Sequence, residues 1–93
     1  MITVHAVRIG TLHEILVGTH VFLAVRDAGR SGRLWSVWGR DREGIDHEAY
    51  VAADNLADRA RHEHGLSTGG VNDGLFKNRA AVIKALVAVV TSS

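Results

Sequence analysis

The segment Gly65–Gly69 carries a pattern that is associated with nucleophilic catalysis. It reads GLSTG and matches G-x-S-x-G, the turn that presents a serine nucleophile between a strand and a helix. Here a predicted helix precedes the segment, more glycine follows it, and the lysine of a phosphate-binding P-loop is missing. We interpret the segment as a loop, predict no catalytic residues, and expect that the protein is not an enzyme.

Histidines and carboxylates on a predicted helix suggest a second chemistry, metal binding. Asp54, Asp58 and His62 are spaced i, i+4, i+8, so they could converge loosely on one helix side. The spacing is not H-E-x-x-H, and His62 and His64, two residues apart, point away from each other. The chain has no cysteine, which excludes thiolate metal sites and disulfides. We predict no metal ligands and no cofactor, and keep weak divalent-metal binding as a third hypothesis.

The formal charge of +1 conceals two oppositely charged segments. Residues 26–42 contain five arginines and two aspartates, whereas residues 46–63 contain five acidic residues and two arginines. Because the planar guanidinium group pairs well with carboxylate or phosphate, the basic segment is a candidate for contact with an anionic partner. Three alternatives stay open: the arginines pair with the acidic helix, they remain solvated, or the two segments join copies of the chain head to tail.

The elements that must position these residues change character near residue 44. Three stretches before that point are rich in β-branched and aromatic residues, which predicts three strands. These strands are residues 1–9, 15–26 and 33–40. The loop before the last strand contains two glycines and predicts a hairpin, and strands joined by short loops pair as antiparallel neighbours.

Two helices are predicted after the strands, at residues 46–64 and 74–90, from apolar residues that recur with helical spacing. Asp46 is the expected N-cap of the first helix, and Asn72 or Asp73 that of the second. The predicted fold is α+β, a three-stranded antiparallel β-meander followed by two α-helices packed on one sheet face. A length of 93 residues, 46% hydrophobic and 23% charged, predicts one compact domain spanning residues 1–93.

One face of the predicted sheet would remain uncovered by the helices. Period-2 alternation assigns five aliphatic residues to the covered face: Ile15, Val17, Val21, Leu23 and Val25. The opposite face receives the residues that alternate with these five, together with His5 or Val7. It also receives one of the two tryptophans, because Trp35 and Trp38 point to opposite sides of a regular strand, and the sequence leaves open which one. With the hairpin arginines, the predicted partner-binding residues are His20, Phe22, Arg26, Arg30, Arg33, Trp35, Trp38 and Arg40.

The tripeptide Trp38-Gly39-Arg40 resembles the signature of the WGR domain, a small module associated with nucleic acids, and it follows a predicted strand as it does there. The resemblance covers these three residues only. The glycine-containing segment expected after the arginine is replaced by residues 41–44, which read DREG. The resemblance implies a contact with nucleic acid and supports nucleic-acid binding as an alternative function.

These features predict a small protein-binding module of the regulator or inhibitor type, and a mobile-element origin is a further hypothesis. The expected partner is another protein, and a second copy of the chain is an open alternative. Nucleic-acid binding through the hairpin arginines and an aromatic stack is the second hypothesis. No apolar run reaches the roughly 18 residues of a membrane span, and no signal peptide is recognisable, so we expect no membrane contact and a cytoplasmic location.

Overall fold

The computed structural model describes residues 2–27, 34–41, 46–68, 71–72 and 74–93. It contains a four-stranded antiparallel sheet, a two-stranded hairpin and two helices. The strands of the large sheet are β1 (Val4–Ile9), β2 (Leu12–Val17), β3 (His20–Asp27) and β4 (Leu34–Gly39), in that spatial order. They are followed by α1 (His47–His64), β5 (Ser67–Thr68), β6 (Val71–Asn72) and α2 (Arg79–Ser92). The α+β class and the antiparallel meander are confirmed.

The prediction of three strands is wrong, because the stretch 15–26 is not one strand. Gly18 and Thr19 form a two-residue turn between β2 and β3, and Gly18 has φ +61°. The same Gly-Thr dipeptide joins β1 to β2, where Gly10 has φ +65°. A positive φ at the first central residue is typical of the type II′ hairpin turn, which favours glycine there. The repeated Gly-Thr, eight residues apart, is the sequence signal that marks both turns.

The extra turn exchanges the two faces of β3. Ile15 pairs with Phe22 across the β2–β3 hairpin, and residues paired in this way point to the same side of the sheet. Phe22 and Ala24 are therefore in the core and fully buried, while Val21, Leu23 and Val25 point to the other face. The prediction that Phe22 is exposed was wrong because one strand was assumed where a reversal occurs.

The core lies between one sheet face and both helices. Ile15, Val17, Phe22, Ala24 and Val37 from the sheet are fully buried. The helices contribute Ala53, Ala57 and Ala60 from α1 and Val82, Ala85, Leu86 and Val89 from α2. The alanines of α1 bring its backbone close to β4. A Cβ atom on Gly39 would lie 2.6 Å from the backbone nitrogen of Asp54, so only glycine fits there.

The helix ends differ from the predictions in one case. The helix α1 begins directly after Asp46, as predicted, although the Asp46 side chain makes no capping hydrogen bond. The helix α2 begins at Arg79 rather than at residue 74. Its N-cap is Asn78, whose Oδ1 accepts a hydrogen bond from the Ala81 N–H at 2.8 Å. The residues just before Asn78 do not extend the helix, because Phe76 forms a β-bridge with Trp35 on β4.

Candidate protein-interaction surface

The sheet face opposite the core, which we call the open face, is mostly apolar. Among the residues whose side chains the structure describes, the pairing register places twelve on it: His5, Val7, Ile9, Leu12, Glu14, Leu16, Val21, Leu23, Val25, Leu34, Ser36 and Trp38. None of them belongs to the core cluster. Val7 and Ile9 are 43% and 54% exposed, and the six remaining aliphatic residues are partly exposed. A solvated sheet face usually carries polar residues, so this composition indicates a contact surface.

The two tryptophans lie on opposite sides of β4. Trp38 belongs to the open face and is 40% exposed, opposite Leu23 on β3. Trp35 lies on the covered side, packs against the core, and meets the His13 ring edge-on with 4.8 Å between the ring centroids. The structure thus decides what the sequence left open. Among the residues of the open face, Trp38 is the one of the type that dominates protein interfaces.

One ion pair crosses the open face. The Nε atom of Arg40 lies 3.5 Å from Oε2 of Glu14, so the pair spans β3 above its aliphatic side chains. Both side chains are only about a quarter exposed, at 26% and 23%. The Arg40 Nε atom is buried and has no hydrogen-bond partner. The open face therefore carries a polar site, formed by Glu14 and Arg40, at which one hydrogen-bond donor lacks an acceptor among the described residues.

A shallow cleft adjoins this polar site where the sheet meets the first turns of α1. Its volume is about 130 Å³, and its lining residues are Thr19, Val21, Arg40, Asp46, Ala49 and Tyr50. Ligand pockets typically measure several hundred Å³, so the cleft has room for a single side chain rather than for a substrate. It extends the open face at the end opposite to the β3–β4 connection.

The predicted partner-binding residues do not form one surface. His20, Phe22 and Arg26 were expected on the open face, but the register places all three on the covered side. Phe22 is fully buried, His20 is partly exposed at the end of β3, and Arg26 is exposed opposite Trp35. Trp38, one of the two tryptophans between which the sequence did not decide, and Arg40, predicted as a hairpin arginine, lie at the open face. Arg30 and Arg33 lie outside the described residues.

The sequence analysis missed the aliphatic residues that make up most of the open face. Leu23 and Val25 were assigned to the core, and Leu12 to a turn. The alternation of residues along β1 was the useful signal, because His5 or Val7 was expected on this side and the register places both there. Had both Gly-Thr dipeptides been taken as turns, the same period-2 rule would have placed the whole set.

A second group of side chains lies on the covered side, at the end of the sheet near α2. Arg79 Nη1 is 3.5 Å from Nδ1 of His13. Desolvation lowers the pKa of His13, and the positive charges of Arg79 and Arg8 lower it further. Among the described residues, no carboxylate forms an ion pair with Arg8 or Arg79, whereas Arg40, Arg59 and Arg61 each have one. This end of the molecule therefore has a positive potential.

The described part of the chain bears on the hypotheses of metal binding and membrane contact. It contains no group of three histidine or acidic side chains that could hold a metal ion. Asp54 and Asp58 are instead engaged by the Gly39 N–H at 3.0 Å and by Arg61 at 3.1 Å. In the same described residues, neither helix is long and apolar enough to cross a membrane.

The tripeptide at residues 38–40 has local structural roles in this fold. Trp38 faces outward, Gly39 lets α1 approach, and Arg40 reaches Glu14. Comparison with protein-family models, curated proteins and solved structures finds no significant match to this chain.

Proposed function

We propose that the protein is a non-enzymatic protein-binding module and that its open face is the surface on which a partner protein docks. The observation that carries this proposal is the continuous apolar surface across all four strands, which includes Trp38 at 40% exposure. Burying such side chains against a partner releases roughly 25 cal/mol for each Å² of apolar surface removed from water. Trp38 would supply the largest single contact.

The charges around the open face indicate the chemistry of the partner. Arg40 lies at the open face, and in the sequence it belongs to residues 26–42, a segment that holds five arginines and two aspartates. A partner that presents apolar side chains with carboxylates beside them would complement this arrangement, because such complementarity fixes orientation and speeds association. This fits a small regulator or inhibitor that acts by covering a surface on another protein.

The pair formed by Glu14 and Arg40 adds a requirement for the partner. A partner on the open face would remove water from both side chains, which is costly unless new hydrogen bonds compensate. About a quarter of the Arg40 side chain is exposed, so a partner oxygen placed beside its guanidinium group would supply a further acceptor. The adjoining cleft of about 130 Å³ has room for the side chain that carries that oxygen.

The test compares two substitutions of equally exposed apolar residues. Trp38 on the open face is 40% exposed, and Val51 on α1 is 39% exposed. A partner captured by the wild-type protein is purified, and its Kd is measured for wild type, Trp38→Asp and Val51→Asp by calorimetry. We expect Trp38→Asp to weaken binding at least about 30-fold, the effect of losing a hot-spot residue worth about 2 kcal/mol, and Val51→Asp to leave it unchanged.

Circular dichroism melting of both variants shows that each is folded. If the two variants bind the purified partner as tightly as wild type, the open face is not the docking surface and the proposal is wrong. If Val51→Asp weakens binding as much as Trp38→Asp does, the contact lies elsewhere.

Nucleic-acid binding is the second candidate, and one observation favours it. Arg8 and Arg79 flank His13 and have no carboxylate partner among the described residues, so phosphate groups could bind there. A salt titration separates the two candidates, because each phosphate contact steepens the fall of log K with log salt. Binding of a single-stranded oligonucleotide with a steep slope, lost in an Arg8→Gln and Arg79→Gln double variant, would favour this candidate over the first.

A further inference from the structure

The two edge strands of the four-stranded sheet differ in whether their outward backbone groups are hydrogen-bonded. On β4, the backbone groups that point away from β3 belong to Trp35, Val37 and Gly39, since Arg40 N–H bonds back to Val21 and bonding alternates along the strand. The backbone of Trp35 exchanges two hydrogen bonds with that of Phe76, at 2.8 and 2.9 Å. The Val37 carbonyl accepts from Arg61, and the Gly39 N–H donates to Asp54 at 3.0 Å. This edge is closed.

On β1, the corresponding groups have no partner in the described part of the chain. The Thr3 carbonyl accepts from the Gly18 N–H at 2.9 Å, so the odd-numbered residues of β1 bond to β2. By alternation, the N–H and C=O groups of Val4, Ala6 and Arg8 point outward. No described residue bonds to them. The edge is therefore open along the length of β1.

The side chains of β1 give this edge little of the protection that is usual for an edge strand. Protected edges carry charged side chains, lysine above all, or proline or a bulge, and β1 has a single charged residue, Arg8. The register of β1 is continuous, and the strand has neither lysine nor proline. Six large apolar side chains of the described residues are exposed, and three of them, Val4, Val7 and Ile9, lie on β1. A poorly protected, apolar edge is a template for pairing with another strand.

We propose that the occupant of this edge is β1 of a second copy of the chain, paired antiparallel about a two-fold axis at Ala6. In this register Ala6 faces Ala6 of the second copy, and Val4 faces Arg8, so the outward groups of all three residues are satisfied on both copies. No like charges are opposed, whereas centring the pair on Arg8 would oppose two guanidinium groups. The result is one eight-stranded sheet with the two open faces side by side.

The closed edge explains why the assembly would stop at two copies. Pairing through β1 leaves a β4 edge at each end of the joined sheet, and both of these are already occupied by Phe76, Arg61 and Asp54. A two-fold contact that consumes the open edge closes on itself, whereas a chain with two open edges would form filaments. A second copy fits better than a foreign strand because one contact satisfies two open edges at once.

The first experiment measures mass against concentration for wild type and Ala6→Pro by light scattering. Proline removes the outward N–H and places its ring between the paired strands, and it is tolerated on an edge whose N–H faces solvent. We expect wild type to approach twice the 10.0 kDa of one chain and Ala6→Pro to remain at 10.0 kDa. A wild-type protein that stays monomeric up to its solubility limit overturns the proposal.

A matched pair of substitutions at Val4 tests the register without relying on the fold of the proline variant. Val4 is 38% exposed and would face Arg8 of the second copy. Val4→Lys opposes like charges twice in the dimer and should weaken it about tenfold, while Val4→Glu creates two ion pairs and should preserve or tighten it. Equal effects of Lys and Glu would overturn this register.

Leu23→Asp distinguishes this proposal from the docking function of the open face. It should leave the dimer intact, because Leu23 lies two strands away from the β1 edge. A dimer that dissociates in Leu23→Asp but persists in Ala6→Pro would place the contact between two open faces and overturn the edge pairing. Loss of partner binding in Trp38→Asp with an unchanged dimer would support both proposals, whereas unchanged partner binding would overturn the docking proposal only.

Discussion

Phe22 and Leu23 are neighbours on β3, yet the first is fully buried and the second remains partly exposed. Both faces of the sheet are rich in apolar side chains, so apolar character alone does not decide which face the helices cover. The difference lies in side-chain size. The covered face includes Ala6, Ala24 and Gly39, whereas the open face has no alanine or glycine. Small residues on the covered face let the helix backbones approach it, as Gly39 does for α1.

The largest expected effect comes from truncating neighbours on the two faces. Phe22→Ala should lower the free energy of unfolding by about 3–5 kcal/mol, since it leaves a cavity in the core. Leu23→Ala should lower it by less than about 1 kcal/mol, because the leucine side chain is already partly in water. Urea denaturation followed by circular dichroism measures both. Similar losses for the two variants would show that the faces are not distinguished in this way.

A smaller loss of stability is expected from substituting Gly39, a residue of the covered face that has no room for a side chain. Gly39→Ala places a methyl group 2.6 Å from the backbone nitrogen of Asp54, so α1 must shift. The expected loss is about 1–3 kcal/mol, the usual cost of overpacking. Ser36→Ala, on the open side of the same strand, serves as the control and should change stability by less than about 0.5 kcal/mol. If Gly39→Ala is as stable as the control, the close contact does not exist in solution.

The smallest effect concerns pH and His13. Its pKa lies below the ordinary 6.5 in the folded protein because of desolvation and the nearby Arg79 and Arg8. The folded state therefore binds this proton less readily than the unfolded state. The stabilising contribution is complete above about pH 6.5 and declines as the pH falls from there through the lowered folded pKa.

Urea unfolding at several pH values between about 8 and 5 measures this decline. His13→Gln should remove it, and Arg79→Gln should reduce it, because one source of the lowered pKa is lost. A wild-type protein whose pH dependence is identical to that of His13→Gln would contradict the assigned environment of this histidine.

The sequence predicts some parts of the fold well for identifiable reasons. The alanine stripe and Gly65 predict α1 and its end, because helical periodicity and a glycine stop are local properties. The start of α2 was placed too early. Leu75 and Phe76 continue the apolar pattern of the helix, but the Phe76 backbone bonds to Trp35, which is distant in the sequence.

The candidate surface was predicted only in part, and the reason is the period-2 rule itself. The open face carries Trp38, one of the two tryptophans between which the sequence did not decide, and Arg40, which was predicted on the hairpin. It also carries both His5 and Val7, of which one was expected. Phe22 and Leu23 were exchanged, because an unrecognised two-residue turn reverses the chain and places Phe22 on the side of Ile15. As a result, the aliphatic side chains of β3 lie on the open face and not in the core, where they were predicted.

The sequence by itself determined the α+β class, the position of the large sheet before both helices, the absence of thiol chemistry and the segregation of charge. These follow from composition and from patterns that span a few residues. Only the tertiary structure decided which tryptophan is exposed, which sheet face is open and which edge is closed. Those outcomes depend on contacts such as Gly39 with Asp54 and Trp35 with Phe76, which join residues far apart in the chain. Local periodicity does not contain that information.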